Sequence, residues 1–215
     1  GQTMVVSAKN PAEHVEEKYY QLSFKNIQLQ ESVIACRLRK IVAEVIHGMS
    51  ASEAPMGVLL SGGIDSSIIS TLLSKHLPEL KTFCVGAVDA NEFKEAQVVA
   101  KAIGSKHFSI NLERKEVIAS LPKVIYSLES FDSGFLRTAI PMNKVIEEAV
   151  KQVKVVLSGE GADEVFAGYD RYSRFVNSNG VSEEDIKSML SGNFLNDNLN
   201  LFFTNKLLKE EVNLI

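Results

Sequence analysis

Residues 57–67 read Gly57-Val58-Leu59-Leu60-Ser61-Gly62-Gly63-Ile64-Asp65-Ser66-Ser67. A short apolar run gives way to two glycines set among hydroxyls, and a helix-like pattern then continues to His76. Strand, glycine turn and helix are the natural reading. At such a turn, backbone N–H groups and the positive helix end face outward together, and phosphate is the natural guest. The loop that grips phosphate with a lysine is excluded, because the chain contains no Gly-Lys pair. Backbone dipoles and a metal must then carry the charge. Asp65 keeps two readings. A carboxylate beside a polyphosphate is repulsive unless a cation such as Mg²⁺ bridges them. Otherwise it is an ordinary first-turn acid offsetting the helix dipole.

Working outward, residues 81–86 and 107–112 pattern as strands, with a helix over 92–103 between them. Helical patterns follow over 113–129 and 142–151, then a fourth strand over 154–157. Upstream, Ile34, Leu38, Ile41 and Val45 form the stripe of an amphipathic helix from Glu31 to Gly48. Strands alternating with helices predict an α/β fold: a parallel twisted sheet with helices on both faces and ligands beyond the strands' carboxyl ends. Residues 1–29 are weakly patterned and read as a lead-in segment, and 30–176 as the main domain. Residues 177–215 read as an incomplete C-terminal helical region, with patterns at 182–190 and 199–211. The close on Leu214-Ile215, without a polar tail, leads us to expect that the native polypeptide continues or that a missing part is supplied elsewhere.

A second turn, Ser158-Gly159-Glu160-Gly161-Ala162-Asp163-Glu164, follows the fourth strand and gathers acids where a helix begins. If the two turn-bearing strands are neighbours, Asp65 and Asp163 can share one Mg²⁺, leaving Glu160 for proton or positioning work. A capped helix with acids in its first turn is the alternative, and the favoured one for Glu164. Gly159-x-Gly161 starts a dinucleotide-binding pattern, but Glu164 stands where its third glycine belongs, which removes that reading. Arg137 lies in the apolar stretch Phe135-Leu136-Arg137-Thr138-Ala139-Ile140, so its guanidinium needs an anion. That anion is a phosphate or substrate carboxylate, or else Asp132 or Glu129 in an ion pair. His14, His47, His76 and His107 have no metal-ligand spacing, and Cys84 reads as a packing residue.

Composition bounds the class. Of 215 residues, 45% are hydrophobic and 23% charged, which suits a soluble globular chain rather than a disordered one. A net charge of −4 without a dense basic block disfavours a nucleic-acid partner. Apolar runs such as Val58-Leu59-Leu60 are far too short for a membrane span. Two cysteines and the lack of any Asn-x-Ser/Thr acceptor lead us to expect a cytoplasmic protein.

The stretch Ser61-Gly62-Gly63-Ile64-Asp65-Ser66-Ser67 resembles the pyrophosphate loop (PP-loop) of the ATP pyrophosphatases, which have the adenine nucleotide alpha hydrolase-like fold. Several other stretches narrow this: Phe83-Cys84-Val85-Gly86, Glu129-Ser130-Phe131-Asp132, Arg137, Pro141-Met142, and residues 158–169. Together they resemble the synthetase domain of glutamine-hydrolysing asparagine synthetases and their β-lactam and carbapenam synthetase relatives. The resemblance spans about residues 30–175. It implies an AMP-forming amide ligase that adenylates a carboxylate, the aspartate side chain in the first instance, and transfers ammonia to it. It further implies that residues 61–67 (Ser61, Gly62, Gly63, Asp65, Ser66 and Ser67 among them) hold pyrophosphate. Leu60, Val85, Ser158 and Gly159 would contact adenosine, and Asp65 and Asp163 would hold Mg²⁺. Glu160 would assist the intermediate and the ammonia attack, and Arg137 would stabilise phosphoryl charge. Ammonia would come free or from a glutaminase domain or subunit, and self-association is left open. Gly134 and Phe135 stand where those synthetases carry two threonines, and Ala167 where they carry glycine. The alternatives are a tRNA-modifying or NAD-forming adenylating enzyme of the same superfamily, or a nucleotide-binding module without catalysis.

Overall fold

The structure, a computed structural model, describes residues 1–10, 12–21, 28–87, 91–166 and 168–169. The helical patterns expected at 182–190 and 199–211 lie outside the described residues. The chain divides into two compact units, residues 1–42 and 43–215.

In the first unit, β1 (Gln2–Val6) pairs antiparallel with β2 (His14–Lys18), in a register that sets Gln2 opposite Lys18 and Val6 opposite His14. The sequence reading assigned no structure here. Every residue of both strands is exposed, so no buried face imposes the alternation that reveals a strand. The long helix α1 (Glu31–Ser50) forms as expected and runs two residues past Gly48. Its stripe of Ile34, Leu38, Ile41 and Val45 is exposed, and Ile46 is the buried residue of the helix.

The second unit carries the sheet. Strands β3 (Met56–Leu59), β4 (Lys81–Gly86), β5 (Lys106–Asn111) and β6 (Val155–Leu157) are all parallel, in the order β5-β4-β3-β6. Between them run α2 (Ile64–Ser74), α3 (Asn91–Ile103), α4 (Arg114–Leu128) and α5 (Ser133–Ala149), and α6 (Ala162–Phe166) follows β6. The central strands are buried on both faces, so β4 reads as a nearly continuous apolar run: Thr82, Phe83 and Cys84 are each under 5% exposed. Cys84 and Leu60 pack on Ala96 and Ala100 of α3. Phe83 faces the opposite way, toward Val145 and Ala149 of α5, and its ring stacks on Phe108 with centroids 5.1 Å apart. Helices thus cover both faces, as the sequence predicted. The Thr82 hydroxyl, buried in this layer, is satisfied at 2.9 Å by both the Ser105 hydroxyl and His107 Nδ1.

One helix departs from expectation. The sequence pattern places it over 142–151. Instead α5 starts at Ser133 and carries Pro141 inside. Asp132 initiates it: its carboxylate accepts from the N–H groups of Gly134 at 2.8 Å and Phe135 at 3.2 Å. The apolar face of α5 against the sheet outweighs the one hydrogen bond that proline removes. On its other side α4 packs, pinned by the Lys144–Glu116 ion pair at 2.8 Å.

Candidate active site

β3 and β6 are adjacent, with Met56 opposite Val155 and Val58 opposite Leu157, so the turns that follow them emerge side by side at the carboxyl edge of the sheet. Their contact is close. A Cβ added to Gly159 would lie 3.0 Å from Asp65 Cβ and 3.2 Å from Ser66 N, so the second turn rests on the first turn of α2 through a residue without a side chain.

Hydroxyls cinch the first turn. The Ser61 N–H donates to Ser66 Oγ at 3.3 Å, the Ser61 and Ser66 hydroxyls lie 3.0 Å apart, and the Gly63 N–H donates to Ser61 Oγ at 3.3 Å. Gly62 has φ +88°, and a Cβ there would stand 2.5 Å from Glu95 Cβ and 2.6 Å from Ala96 N, so the turn is also pressed against α3. Gly63 caps α2 without a side chain, leaving the first-turn N–H groups for a ligand. Ser67 Oγ is buried with no partner among the described residues.

In the second turn, Asp163 and Glu164 separate by environment. Glu164 is 7% exposed and accepts a short hydrogen bond from the Tyr169 hydroxyl, which makes it a structural acid, as the sequence reading favoured. Asp163 sits against Gly168, where a Cβ would meet its Oδ1 at 2.0 Å. Burial pushes the Asp163 carboxyl above the usual carboxylate range, and the charges of Asp65 and Glu164 push it the same way.

A cavity of about 360 Å³ opens between the turns. Leu60, Ser61, Gly63, Asp65, Ser66, Val85, Ser158, Gly159, Glu160 and Asp163, all singled out from the sequence, line it. Gly62 and Ser67 are not among its lining residues. Arg137 lies outside the lining, exposed on α5 beside the lining residue Thr138, and it makes no ion pair with Asp132 or Glu129. Asp132 is occupied as a helix cap, and Glu129 ends α4 with φ 51°. Sequence reasoning missed the apolar wall of Phe83, Met142 and Val145. The spacing 138, 142, 145 is a helical stripe, hidden once the helix was started at 142. The arrangement suits a ligand with a flat apolar part and a polyanionic part.

Among the described residues, the lining contains four carboxyl groups, of Asp65, Glu160, Asp163 and Glu164, and no Lys, Arg or His. Such a wall repels a polyphosphate unless a cation accompanies it. Asp65 and Asp163 are a donor set that fits Mg²⁺, which takes one or two protein carboxylates and fills its remaining positions with water and phosphate oxygens.

A family model described as asparagine synthase matches residues 37–213. Asparagine synthetase B (glutamine-hydrolyzing) of Escherichia coli strain K12 is 34% identical over 170 residues, covering 72% of this chain and 30% of that protein. Asparagine synthetase (glutamine-hydrolyzing) 1 of Bacillus subtilis strain 168 is 37% identical over 157 residues, covering 72% and 24%. Asparagine synthetase (glutamine-hydrolyzing) 2 of Oryza sativa subsp. japonica is 34% identical over 164 residues, covering 71% and 28%. The chain therefore spans less than a third of the length of these curated relatives. No helix of the described residues is long and apolar enough to cross a membrane.

Proposed function

The chain belongs to the asparagine synthase family, and from that premise we propose that it forms the ATP-handling part of an AMP-forming amide ligase, with residues 30–176 as the working domain. The observation that carries this reading is the meeting of the Asp65 and Asp163 turns over one cavity at the sheet's carboxyl edge. In this reading Leu60, Val85, Ser158 and Gly159 hold the adenosine part, and Ser61, Gly62, Gly63, Ser66 and Ser67 hold the pyrophosphate. Asp65 and Asp163 would hold Mg²⁺, which when bound would neutralise phosphate charge.

A substrate carboxylate oxygen attacks the α-phosphorus, the bond to the β-phosphate bridging oxygen breaks, and pyrophosphate leaves onto the loop. The ammonia nitrogen then attacks the acyl carbon, the acyl C–O bond breaks, AMP leaves, and Glu160 accepts the proton. Arg137 is assigned to phosphoryl charge. The names of the relatives support the aspartate side chain as the carboxylate, and ammonia released from glutamine by a domain or partner as the nitrogen source. A cytoplasmic site of action is part of the proposal, supported by a cysteine usage of only two residues in 215.

ATP–pyrophosphate exchange with a panel of carboxylates including aspartate tests the reading. Exchange stimulated by aspartate with AMP as the final product is the expected result. ADP as product, or ATP binding without exchange for any acid, overturns it.

A further inference from the structure

His47, in the last turn of α1, and His76, just past the end of α2, meet with ring centroids 4.7 Å apart and planes inclined at 47°. α2 leaves the carboxyl end of β3 and returns to the amino end of β4, so the pair stands at the opposite edge of the sheet from the two acid turns. The 11 residues of α2, about 16 Å of helix, lie between. Both histidines belong to the second unit, and both are exposed. Among the described residues, no group hydrogen-bonds or ion-pairs with either ring.

The separation fits a shared metal ion. With ring nitrogens about 1.15 Å from the centroid, a divalent transition cation about 2.0–2.1 Å from one of them stands about 3.2 Å from that centroid. Two imidazoles on adjacent positions of one such cation, at an N–metal–N angle of about 90–109°, therefore have centroids about 4.5–5.2 Å apart. The observed 4.7 Å falls within that range. The inclination is far from a parallel stack, and an exposed pair of rings gains little from burial. Electrostatics act the same way, because the carboxyl ends of α1 and α2 carry partial negative charge that favours a cation. Among the described residues no third His, Cys, Asp or Glu completes a cluster. Two protein ligands with water in the remaining positions make an open, exchangeable site rather than a closed structural one.

We propose that His47 and His76 form a second cation site, selective for a divalent transition metal of the zinc and copper class over Mg²⁺, which prefers oxygen donors. Occupation ties the end of α1 to the end of α2 and stabilises the fold. Nothing in the amide-ligase reading requires this site, and its test is independent of that reading.

Zn²⁺ is titrated into the full chain by calorimetry, with an excess of Mg²⁺ to keep carboxylates from competing. The expected result is saturable binding and a raised melting temperature. His47→Gln and His76→Gln should each weaken binding at least about tenfold. Both side chains are exposed, so neither variant should change the melting temperature in chelator. Bound Cu²⁺ should show nitrogen hyperfine coupling from two imidazoles in the parent and from one in either variant. Cys36→Ser, which removes the exposed thiol, should leave the affinity unchanged. Absence of saturable zinc binding, undiminished affinity in either histidine variant, or loss of binding in Cys36→Ser overturns the proposal.

Discussion

Gly168 and Asp163 are in such close contact that a Cβ on Gly168 would lie 2.0 Å from Asp163 Oδ1, while the Gly168 N–H donates to the Asp163 carbonyl at 3.0 Å. The atom in the way is the carboxylate assigned to the cation. Gly168→Ala should therefore turn Asp163 out of the cavity. We expect a loss of about 1–3 kcal/mol in stability, the usual cost of overpacking, and a larger proportional loss of aspartate-dependent exchange. Thermal melts and the exchange assay on the same preparations check it; normal exchange with a lowered melting temperature would reassign Gly168 to stability alone.

The two glycines of the first turn should behave differently. Gly62 combines φ +88° with a 2.5 Å approach to Glu95, whereas a Cβ on Gly63 would meet nothing nearer than Ser61 Oγ at 3.4 Å. Gly62→Ala should cost several kcal/mol, adding left-handed strain of about 1–2 kcal/mol to a clash with α3. Gly63→Ala, at a helix cap, should cost less than about 1 kcal/mol. Chemical denaturation of both variants gives the comparison, and equal costs would contradict the packing described.

Removing one of the paired acids should move stability and function in opposite directions. Asp163→Asn relieves repulsion from Asp65 and Glu164, so in metal-free buffer the melting temperature should hold or rise. With Mg²⁺ and ATP, the stabilisation given by nucleotide should shrink as affinity falls by about 100-fold. Scanning fluorimetry in the two buffers reads both; a variant that melts lower without metal would mean the carboxylate is a structural partner.

The fold should also report the state of His107. Burial holds this imidazole below its ordinary value of 6.5, and the folded state favours the neutral ring. As pH falls, the unfolded chain takes up its proton first, so this contribution is full above about pH 6.5 and drains away as pH drops toward the folded value. Melting temperatures across pH 5 to 8 should fall less steeply for His107→Gln than for the parent. Parallel slopes would show that the ring titrates as it does in the unfolded chain.

Much of this was legible in the sequence, for identifiable reasons. The strands around Phe83 and Val156 announce themselves because parallel strands under two helical layers are apolar on both faces. The acid turns are legible because Gly62, Gly159 and their neighbours are short-range patterns with one steric meaning. The hairpin at residues 2–18 left no trace, since neither of its faces is buried. The pattern read over 142–151 leaves out the first half of α5, and with it the placement of Arg137 and the apolar wall. His47 and His76 read as two scattered histidines among four. They meet only because α1 and α2 end side by side, a tertiary fact with no local signature.

The strand order has a consequence for synthesis of the chain. β3 lies between β4 and β6, and the partner of its Met56 is Val155, so one flank of this strand stays open while everything between is translated. Met56, Gly57 and Val58 become buried residues, and until their second neighbour emerges they present an unpaired apolar border. Under the proposed function, nucleotide capture would then wait until β6 docks. A nascent polypeptide halted before that moment carries the glycine loop without the second turn that faces it, and is at its most prone to clump.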